Sequence, residues 1–135
     1  MITIETTKAL HKAHNADAGW DIAASGKTII PAGQSRVIAT NLRMAIPEGW
    51  VGILKSRSGL SVRKRLEVGA GVIDAGYRGE IAVHIHNLGF DDVLIEEGDR
   101  IAQLLILPVP DINWVVVDDL PDSPRDANGF GSSGV

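Results

Sequence analysis

Short apolar runs rich in β-branched residues fill most of this chain, and no amphipathic helical stripe of three or more turns interrupts them. Runs of this length, separated by glycine, proline and polar residues, are typical of β-strands. The predicted strands cover residues 2–6, 35–39, 42–46, 51–55, 80–87, 93–95, 101–107 and 114–117. The pattern predicts an all-β fold arranged as a sandwich, a jelly roll or a small barrel.

The fifth predicted strand alternates in polarity, with Ile81, Val83 and Ile85 on one face. Because successive side chains of a strand point to opposite faces, this apolar face is predicted to lie in the core. The other face carries His84 and His86, two imidazoles that could share a metal ion. No third His and no Cys stands nearby, so a solvated strand face is favoured over a zinc site.

The seventh predicted strand, residues 101–107, is apolar on both faces, as expected for a strand covered on two sides. Gln103 is the polar exception within it. A buried amide without hydrogen-bond partners costs roughly 1–3 kcal/mol. We therefore expect Gln103 to bond to other protein groups or to a ligand.

A single short helix is predicted from about Ser58 to Arg65. Its start is rich in serine and follows Arg57. Free N–H groups at a helix start and a forked guanidinium suit the binding of phosphate. The alternative is an ordinary helix cap beside a surface arginine.

The segment 69–79 places Asp74 and Tyr77 three residues apart among glycines at positions 69, 71, 76 and 79. Glycine allows the backbone to approach a ligand closely, which favours a binding site with Asp74 as its reactive group and Tyr77 as a wall. A hairpin with an acidic turn residue is the alternative, because Gly and Asp are also common in turns.

Two further acidic positions have simpler interpretations. Asp21 follows a tight turn at residues 18–20, where it serves either as a turn residue or as an outer-shell ligand of a hydrated Mg²⁺ ion. Asp99 and Arg100 precede the strand at 101–107, and we expect them to form a structural ion pair.

The composition changes after Pro108, where prolines flank a single predicted strand and the chain ends in a Gly/Ser-rich tail. This pattern indicates an arm at residues 108–124 followed by a flexible segment at 125–135. Such tails are usually disordered and inert. Phe130 is unusual in a linker, and its ring is suited to close onto a flat ligand.

Composition excludes several classes of function. The 135 residues fit one domain, with 44% hydrophobic residues and a net charge of −4. An acidic balance argues against nucleic-acid and membrane partners. The absence of cysteine excludes disulfides and thiolate zinc sites. Since the N-terminus lacks an export signal, we expect a cytoplasmic protein, or one of the host cytoplasm if the gene is viral.

Five of these segments, taken in order, resemble the five sequence motifs of the homotrimeric deoxyuridine triphosphate nucleotidohydrolases, or dUTPases. They lie at residues 18–22, 56–61, 69–79, 98–104 and 125–134. The resemblance implies a single domain over residues 1–135 with a distorted jelly-roll-like β-barrel core, a β-clip, at 1–107. It also implies that three subunits exchange the arm and share each active site.

The resemblance further implies hydrolysis of dUTP to dUMP and pyrophosphate, which limits uracil in DNA and supplies dUMP for dTMP synthesis. Asp74 would place the water that attacks the α-phosphorus, and Tyr77 would pack on the deoxyribose and exclude a 2′-hydroxyl. A carboxylate is a weak base towards water, so its main contribution is placement. Backbone groups would read the uracil edge at Gly69, Gly71, Val72 and Ile73.

The phosphates are assigned to the remaining motifs. Mg²⁺ would bind all three phosphates and contact Asp21 through a water molecule. Phe130 would stack over uracil as the tail closes. The phosphate contacts implied are Arg57, Ser58, Gly59 and Gln103 along the chain, with Arg125, Gly131 and Ser132 on the γ-phosphate.

The chain departs from the family pattern at Ser56, where proline is frequent, and at Asp126 and Asn128, where glycine is common. Asp126 could partly neutralise Arg125 during tail closure. The related dCTP deaminases share the fold but need a glutamate at the position aligned with His84. A trimeric module that binds a nucleotide without turnover is the other alternative.

Overall fold

The structure is a computed structural model that describes residues 1–134 and contains eleven short strands and one helix. The first six strands are β1 Glu5–Thr6, β2 Trp20–Ala23, β3 Thr28–Ile30, β4 Ser35–Ile38, β5 Met44–Ala45 and β6 Trp50–Lys55. After helix α1 Ser58–Lys64 follow β7 Leu66–Val68, β8 Val72–Ile73, β9 Val83–Asn87, β10 Val93–Ile95 and β11 Arg100–Pro108. The all-β prediction with one short helix is confirmed.

Four antiparallel sheets are formed by these strands. The largest has the order β2-β11-β6-β8, and a three-stranded sheet has the order β4-β9-β7. Two ribbons pair β1 with β5 and β3 with β10. Strand β11 lies inside the largest sheet, so it is bonded on both edges, whereas β2 and β8 form the two outer edges.

The core is aliphatic and draws on all four sheets. The predicted core face of the fifth strand is confirmed, because Ile81, Val83 and Ile85 are almost fully buried. On the other face His84 and His86 are half-buried and stack with ring centroids 4.5 Å apart. The wider cluster comprises Ile22, Ala24, Ile30, Ile38, Leu42, Met44, Ile46, Leu54, Leu66, Ile73, Ile95, Ile101, Ala102 and Leu104.

Several predicted strand boundaries are wrong. Residues 80–82 precede β9, and β1 and β5 are shorter than predicted, because only part of each apolar run finds a hydrogen-bonding partner. Four strands were missed, namely β2, β3, β7 and β8, since each is at most four residues long and interrupted by polar residues or glycine. Short runs of this kind carry too little periodicity to be detected.

The arm contains the one predicted strand that does not form. Residues 114–117 lie within an extended stretch that pairs with no other strand among the described residues. Their side chains are exposed, including Trp114 at 84% and Val116 at 98%. A β-rich run becomes a strand only when a neighbouring edge accepts its hydrogen bonds, and this chain supplies none at that place.

Strand β11 was predicted to be covered on both faces, and this is confirmed only for the first half of the strand. Ile101, Ala102 and Leu104 are buried, but Ile106 is half-buried and Leu107 is 44% exposed. Leu104 and Ile106 of the strand border an apolar cleft of about 240 Å³, so this face is only partly covered.

Helix α1 begins at Ser58, as predicted. Arg57 occupies the N-cap position with extended backbone, and no side-chain hydrogen bond caps the helix. Arg65 ends it in the left-handed conformation with φ of 55°. The ordinary side-chain cap considered as the alternative for this segment is therefore not present. Among the described residues no helix has the length and apolar character needed to cross a membrane.

Asn87 is the most deeply placed polar side chain in the core. It is 0% exposed, and its Nδ2 donates to the carbonyls of Ile30 and Asp91 at 2.9 and 2.8 Å. Its Oδ1 accepts from the N–H of Gly89 at 3.0 Å. These bonds connect the end of β9 with β3 and with the turn that leads to β10.

Replacing Asn87 by Leu should lower the free energy of unfolding by about 2–4 kcal/mol, because one buried and two partly buried backbone groups lose their partner. The measurement is urea denaturation at one fixed protein concentration. Asn15→Leu is the matched control, since Asn15 is exposed, and its effect should stay within about 0.5 kcal/mol. Equal effects of the two changes would contradict the structural role of Asn87.

Candidate active site

Three of the predicted segments converge on one cleft of about 310 Å³, here named the phosphate cleft. They are residues 18–22, the residues that start α1, and Gln103 on β11. These segments therefore lie together in the fold. The lining consists of Ala13, Asp17, Ala18, Gly19, Asp21, Arg57, Ser58, Gly59 and Gln103.

The register of β11 positions the members of the phosphate cleft. Gln103 lies opposite Asp21 on β2 and opposite Lys55 at the end of β6. Arg57 follows Lys55 by two residues. Because side chains alternate along each strand, this register brings groups from β2, β11 and the start of α1 to one end of the sheet.

Gln103 finds the hydrogen-bond partner expected of it. Its Nε2 donates to the carbonyl of Ser56 at 3.0 Å, which holds the segment that leads into α1. A Cβ at Gly19 would lie 2.5 Å from the Oε1 of Gln103. Glycine at position 19 is therefore required for the amide to lie where it does.

Asp21 lies between two arginines. Its carboxylate is 3.1 Å from the Nε of Arg57 and 3.4 Å from the Nη1 of Arg100. Arg57 also donates to the carbonyl of Arg100 at 3.2 Å. The expected pair of Asp99 with Arg100 is wrong, because the Asp99 carboxylate instead accepts from the N–H of Glu96 at 2.9 Å. The turn uses Asp99, and Arg100 is free to reach Asp21.

Asp74 and Tyr77 line a different cleft of about 420 Å³, here named the nucleoside cleft. The Asp74 side chain is exposed to solvent there. No residue of this cleft also lines the phosphate cleft. Its full lining is Leu54, Ala70, Gly71, Val72, Ile73, Asp74, Tyr77, Glu80, Ile81 and Ala82.

The Tyr77 ring is held against bare backbone. Its hydroxyl donates to the carbonyl of Glu80 at 2.8 Å, and its N–H donates to the carbonyl of Asp74 at 3.1 Å. A Cβ at Gly79 would lie 2.5 Å from the Tyr77 hydroxyl. Any larger residue at position 79 would displace the ring, so the glycine supports the orientation of Tyr77.

The backbone at residues 69–73 is partly committed to the sheet. The N–H of Gly69 donates to the carbonyl of His84, and the carbonyl of Gly71 accepts from Leu54, both at 2.8 Å. Strand β8, which contains Val72 and Ile73, is the outer strand of its sheet. An outer strand presents donors and acceptors that its sheet does not use, so the free edge of β8 is the part available to a ligand.

The histidine pair has no third candidate metal ligand beside it among the described residues. Within residues 1–134 no group of three or more His, Cys, Asp or Glu side chains is arranged to hold a metal ion. His84 instead packs beside Gly69, where a Cβ would lie 2.5 Å from its Nδ1. It lies outside the lining of the nucleoside cleft.

The tail lies away from both clefts in the single chain. Phe130 is fully exposed with a left-handed φ of 45°. Arg125 donates through Nε to the carbonyl of Asn128 at 2.8 Å, and it forms no ion pair with Asp126 within the described part of the chain. The neutralisation of Arg125 by Asp126 is thus not present in this conformation. Val135, the last residue of the predicted flexible segment, lies outside the described residues.

A carboxylate not considered from the sequence lies behind the phosphate cleft. Glu67 on β7 accepts hydrogen bonds from the hydroxyls of Ser61 and Ser56, the latter at 2.7 Å. The Ser56 hydroxyl also accepts from the N–H of Val68 at 2.9 Å. The hydrogen bonds from Ser61 and Ser56, with a smaller contribution from Lys55, lower the pKa of Glu67 below its ordinary value of 4.5, although burial opposes the shift.

The dUTPase family model matches residues 5–134, which is nearly the whole chain. The chain belongs to the dUTPase family. It is 43% identical over 118 residues to a deoxyuridine 5'-triphosphate nucleotidohydrolase of Candida glabrata, covering 87% of this chain and 82% of that protein. A probable dUTPase of Invertebrate iridescent virus 6 is 42% identical over 120 residues; the match covers 87% of this chain but only 40% of that longer protein.

A solved dUTPase shares the fold over its whole length. The structure of a mutant dUTPase of Staphylococcus bacteriophage 80alpha with dUpNHpp superposes with a TM-score of 0.92 at 30% identity, and the match covers 100% of both chains. This confirms the jelly-roll-like β fold expected of a dUTPase.

Sequence reasoning named some of the residues that line each cleft but missed the residues that support them. Arg100 was assigned to a neighbour in sequence, and Glu67 was not considered. Ser56 was noted only as a departure from the family's proline and Ser61 was given no role, whereas both donate to Glu67. One sequence signal could have indicated this contact: Glu67 lies on the strand that directly follows the helix, and the helix carries Ser58 and Ser61 three residues apart.

Glu67 should make stability depend on pH in a defined direction. Because its pKa is lowered in the folded protein, its contribution to the free energy of unfolding is present above about pH 4.5 and is lost as the pH falls through the folded pKa. The difference in urea midpoint between wild type and Glu67→Gln should therefore shrink in that range. A difference in urea midpoint that grows as the pH falls would contradict this assignment. Glu48→Gln, which changes an exposed carboxylate, is the control.

Proposed function

We propose that this chain hydrolyses dUTP to dUMP and pyrophosphate as a homotrimer, with water attacking the α-phosphorus. The reaction limits uracil in DNA and supplies dUMP for dTMP synthesis. The observation that carries the proposal is the presence of two complementary clefts with no residue in common. One has the parts needed for a nucleoside and a nucleophilic water, and the other has the parts needed for phosphates.

The arrangement of the clefts supports sharing between subunits. The phosphate cleft uses β2 and the nucleoside cleft uses β8, the opposite edges of one sheet, with β11 and β6 between them. Three strand spacings amount to roughly 14 Å. In the proposed trimer the nucleoside cleft of one subunit faces the phosphate cleft of a second, and the arm at residues 108–124 brings the tail of a third.

In the nucleoside cleft the free edge of β8 is proposed to read uracil. Bases are distinguished by donor and acceptor patterns, which a fixed backbone edge can match without side chains. Tyr77, held by Glu80 and Gly79, would lie against the deoxyribose and leave no space for a 2′-hydroxyl. Discrimination against UTP would follow from this wall.

Asp74 is proposed to hold the attacking water. Its exposed carboxylate lies in the same cleft as Tyr77, so a water bonded to it would be near the sugar and the α-phosphate of a bound nucleotide. Holding the water in line with the bond to be broken removes much of the entropic cost of the attack. The phosphate cleft would neutralise the negative charge of the phosphates.

The phosphate cleft is compatible with a hydrated Mg²⁺ ion. The described residues provide no cage of three or more carboxylate or imidazole ligands, so the protein alone would not hold the metal. Mg²⁺ commonly binds through phosphates, retained waters and one or two carboxylates, and Asp21 is a carboxylate in the cleft lining. When bound, the ion would neutralise phosphate charge, while Arg57, Ser58, Gly59 and Gln103 contact the phosphate chain.

The tail, residues 125–135, is proposed to act as a lid over the active site. Phe130 would stack on uracil, and Arg125, Gly131 and Ser132 would hold the γ-phosphate. Closure would exclude bulk water from the reacting groups. The exposed ring of Phe130 in the single chain supports a partner outside its own subunit.

Deamination of dCTP is the weaker alternative. His84, which stands at the position of the required glutamate, is not part of the nucleoside cleft. Glu80 does line that cleft, but one of its carboxylate oxygens accepts from the N–H of Asn41 at 2.6 Å, which ties the side chain to the segment between β4 and β5. A binding module without turnover is disfavoured by the exposed Asp74.

The proposed activity is tested by incubating the protein with Mg²⁺ and, separately, dUTP, dCTP, UTP and dTTP. Pyrophosphate release and base conversion are both followed, and the mass in solution is measured. Release of pyrophosphate from dUTP alone by a trimer supports the proposal. Lack of dUTP turnover refutes it, and conversion of the cytosine ring would favour the deaminase.

Asp74→Asn should lower kcat for dUTP by about 100-fold or more, because a neutral amide holds and polarises the attacking water less well than a carboxylate. The affinity for the dUTP analogue dUpNHpp should remain within about twofold of the wild-type value, since the substituted atom does not bind the phosphates. Asp91→Asn, an exposed carboxylate on another turn, is the control and should keep full turnover. Unchanged turnover in Asp74→Asn would remove the assigned role.

Deletion of residues 125–135 should leave a folded trimer whose kcat/KM for dUTP is lowered by about 100-fold. Without the tail the reacting groups would be open to bulk water, and the γ-phosphate would lose its contacts with the tail. Mixing this truncated protein with the full-length Asp74→Asn variant tests sharing. If the tail acts across subunits, refolded mixtures should regain activity that neither parent has. A truncation that abolishes assembly would show that the tail is structural.

A further inference from the structure

We propose that Glu67 is a positioning residue for the phosphate cleft, holding the segment from Ser56 to Ser61 in the shape that binds the triphosphate. This inference rests on the proposed function of that cleft. Glu67 lies on β7 and is absent from the lining of both clefts. Its effect on a ligand is therefore exerted through the residues it holds.

The contacts of Glu67 occur at the two ends of this segment. One carboxylate oxygen accepts from the Ser56 hydroxyl at 2.7 Å, and the other accepts from the Ser61 hydroxyl. The Ser56 hydroxyl also accepts from the N–H of Val68 at 2.9 Å, which fixes its direction. Hydrogen bonds to a charged carboxylate are stronger than those between neutral groups, so both ends are held firmly.

The residues between these two ends are those proposed to contact phosphate. Arg57, Ser58 and Gly59 all lie within this stretch and line the phosphate cleft. The start of α1 has no side-chain cap of its own, so no local side-chain bond fixes its first turn. Gln103 holds the carbonyl of Ser56 from the other side at 3.0 Å. Glu67 and Gln103 thus hold opposite sides of one short segment.

The presence of Ser56 makes this arrangement specific to the chain. The family frequently has proline at that position, and proline restricts the backbone without any hydrogen bond. Here the restriction is replaced by a side-chain bond to Glu67. Removing the carboxylate should therefore loosen the segment while leaving the nucleoside cleft, which is built by other residues, unchanged.

The test compares Glu67→Ala and Ser61→Ala with the control Glu48→Ala, which removes an exposed carboxylate in the turn before β6. The affinities for dUpNHpp and for dUMP are measured on the intact protein, together with KM and kcat for dUTP, the thermal midpoint and the mass in solution. Because dUMP lacks the β- and γ-phosphates, its affinity reports mainly the nucleoside cleft.

We expect Glu67→Ala to weaken dUpNHpp binding and raise KM by about tenfold, with dUMP affinity changed less than about twofold. Ser61→Ala should show a smaller shift of the same kind, and the double variant should lose no more than Glu67→Ala alone. Glu48→Ala should match wild type in each measurement.

Equal losses for dUpNHpp and dUMP, or no loss for either, would overturn the proposal. A lower thermal midpoint with unchanged ligand affinities would assign Glu67 a purely structural role and would overturn it as well. A failure of the proposed function is distinguishable from these outcomes. If that function is wrong, the wild-type protein itself will neither bind dUpNHpp nor turn over dUTP.

Discussion

The pairing of β11 with both of its neighbours is the constraint on which the candidate site depends. That register places Gln103 opposite Asp21 on one side and opposite Lys55 on the other. A shift by one residue would turn Gln103 to the opposite face and break its bond to the carbonyl of Ser56. The burial of Ile101 and Leu104 in the same strand opposes such a shift. The hydrophobic core thus fixes the geometry of polar groups that it does not contact.

The nucleoside cleft obeys a different constraint. There the main chain itself must approach other groups closely, as where Tyr77 lies against Gly79 and where Leu54 donates to the carbonyl of Gly71. Strand β8 is only two residues long and lies at the edge of its sheet. Its short length and outer position leave backbone groups free, which a longer central strand would have used for pairing. The sheet therefore ends where the proposed base-binding edge is needed.

The sequence predicted the fold class, the core face of Ile81 and Val83, the start of α1 and the grouping of the phosphate-cleft residues. Such features depend on local periodicity or on motifs. It did not predict the pair of Asp21 with Arg100, because a contact between residues 79 positions apart depends on strand register. The predicted strand at 114–117 was wrong, although its composition suits a strand. Strand formation also requires a partner edge, which composition does not reveal.

The ion pairs of Asp21 bear on how a triphosphate would enter the proposed site. If Arg57 turns from the carboxylate to a phosphate, as the proposed function implies, water offsets much of the loss, because the Arg57 side chain is 28% exposed. After this exchange Asp21 keeps its contact with Arg100 at 3.4 Å and is not left as an unpaired charge. Arg100 therefore lowers the cost of releasing Arg57. Both arginines contact Asp21 in the single chain, and the Arg100 contact would keep this carboxylate paired after Arg57 turned to the ligand.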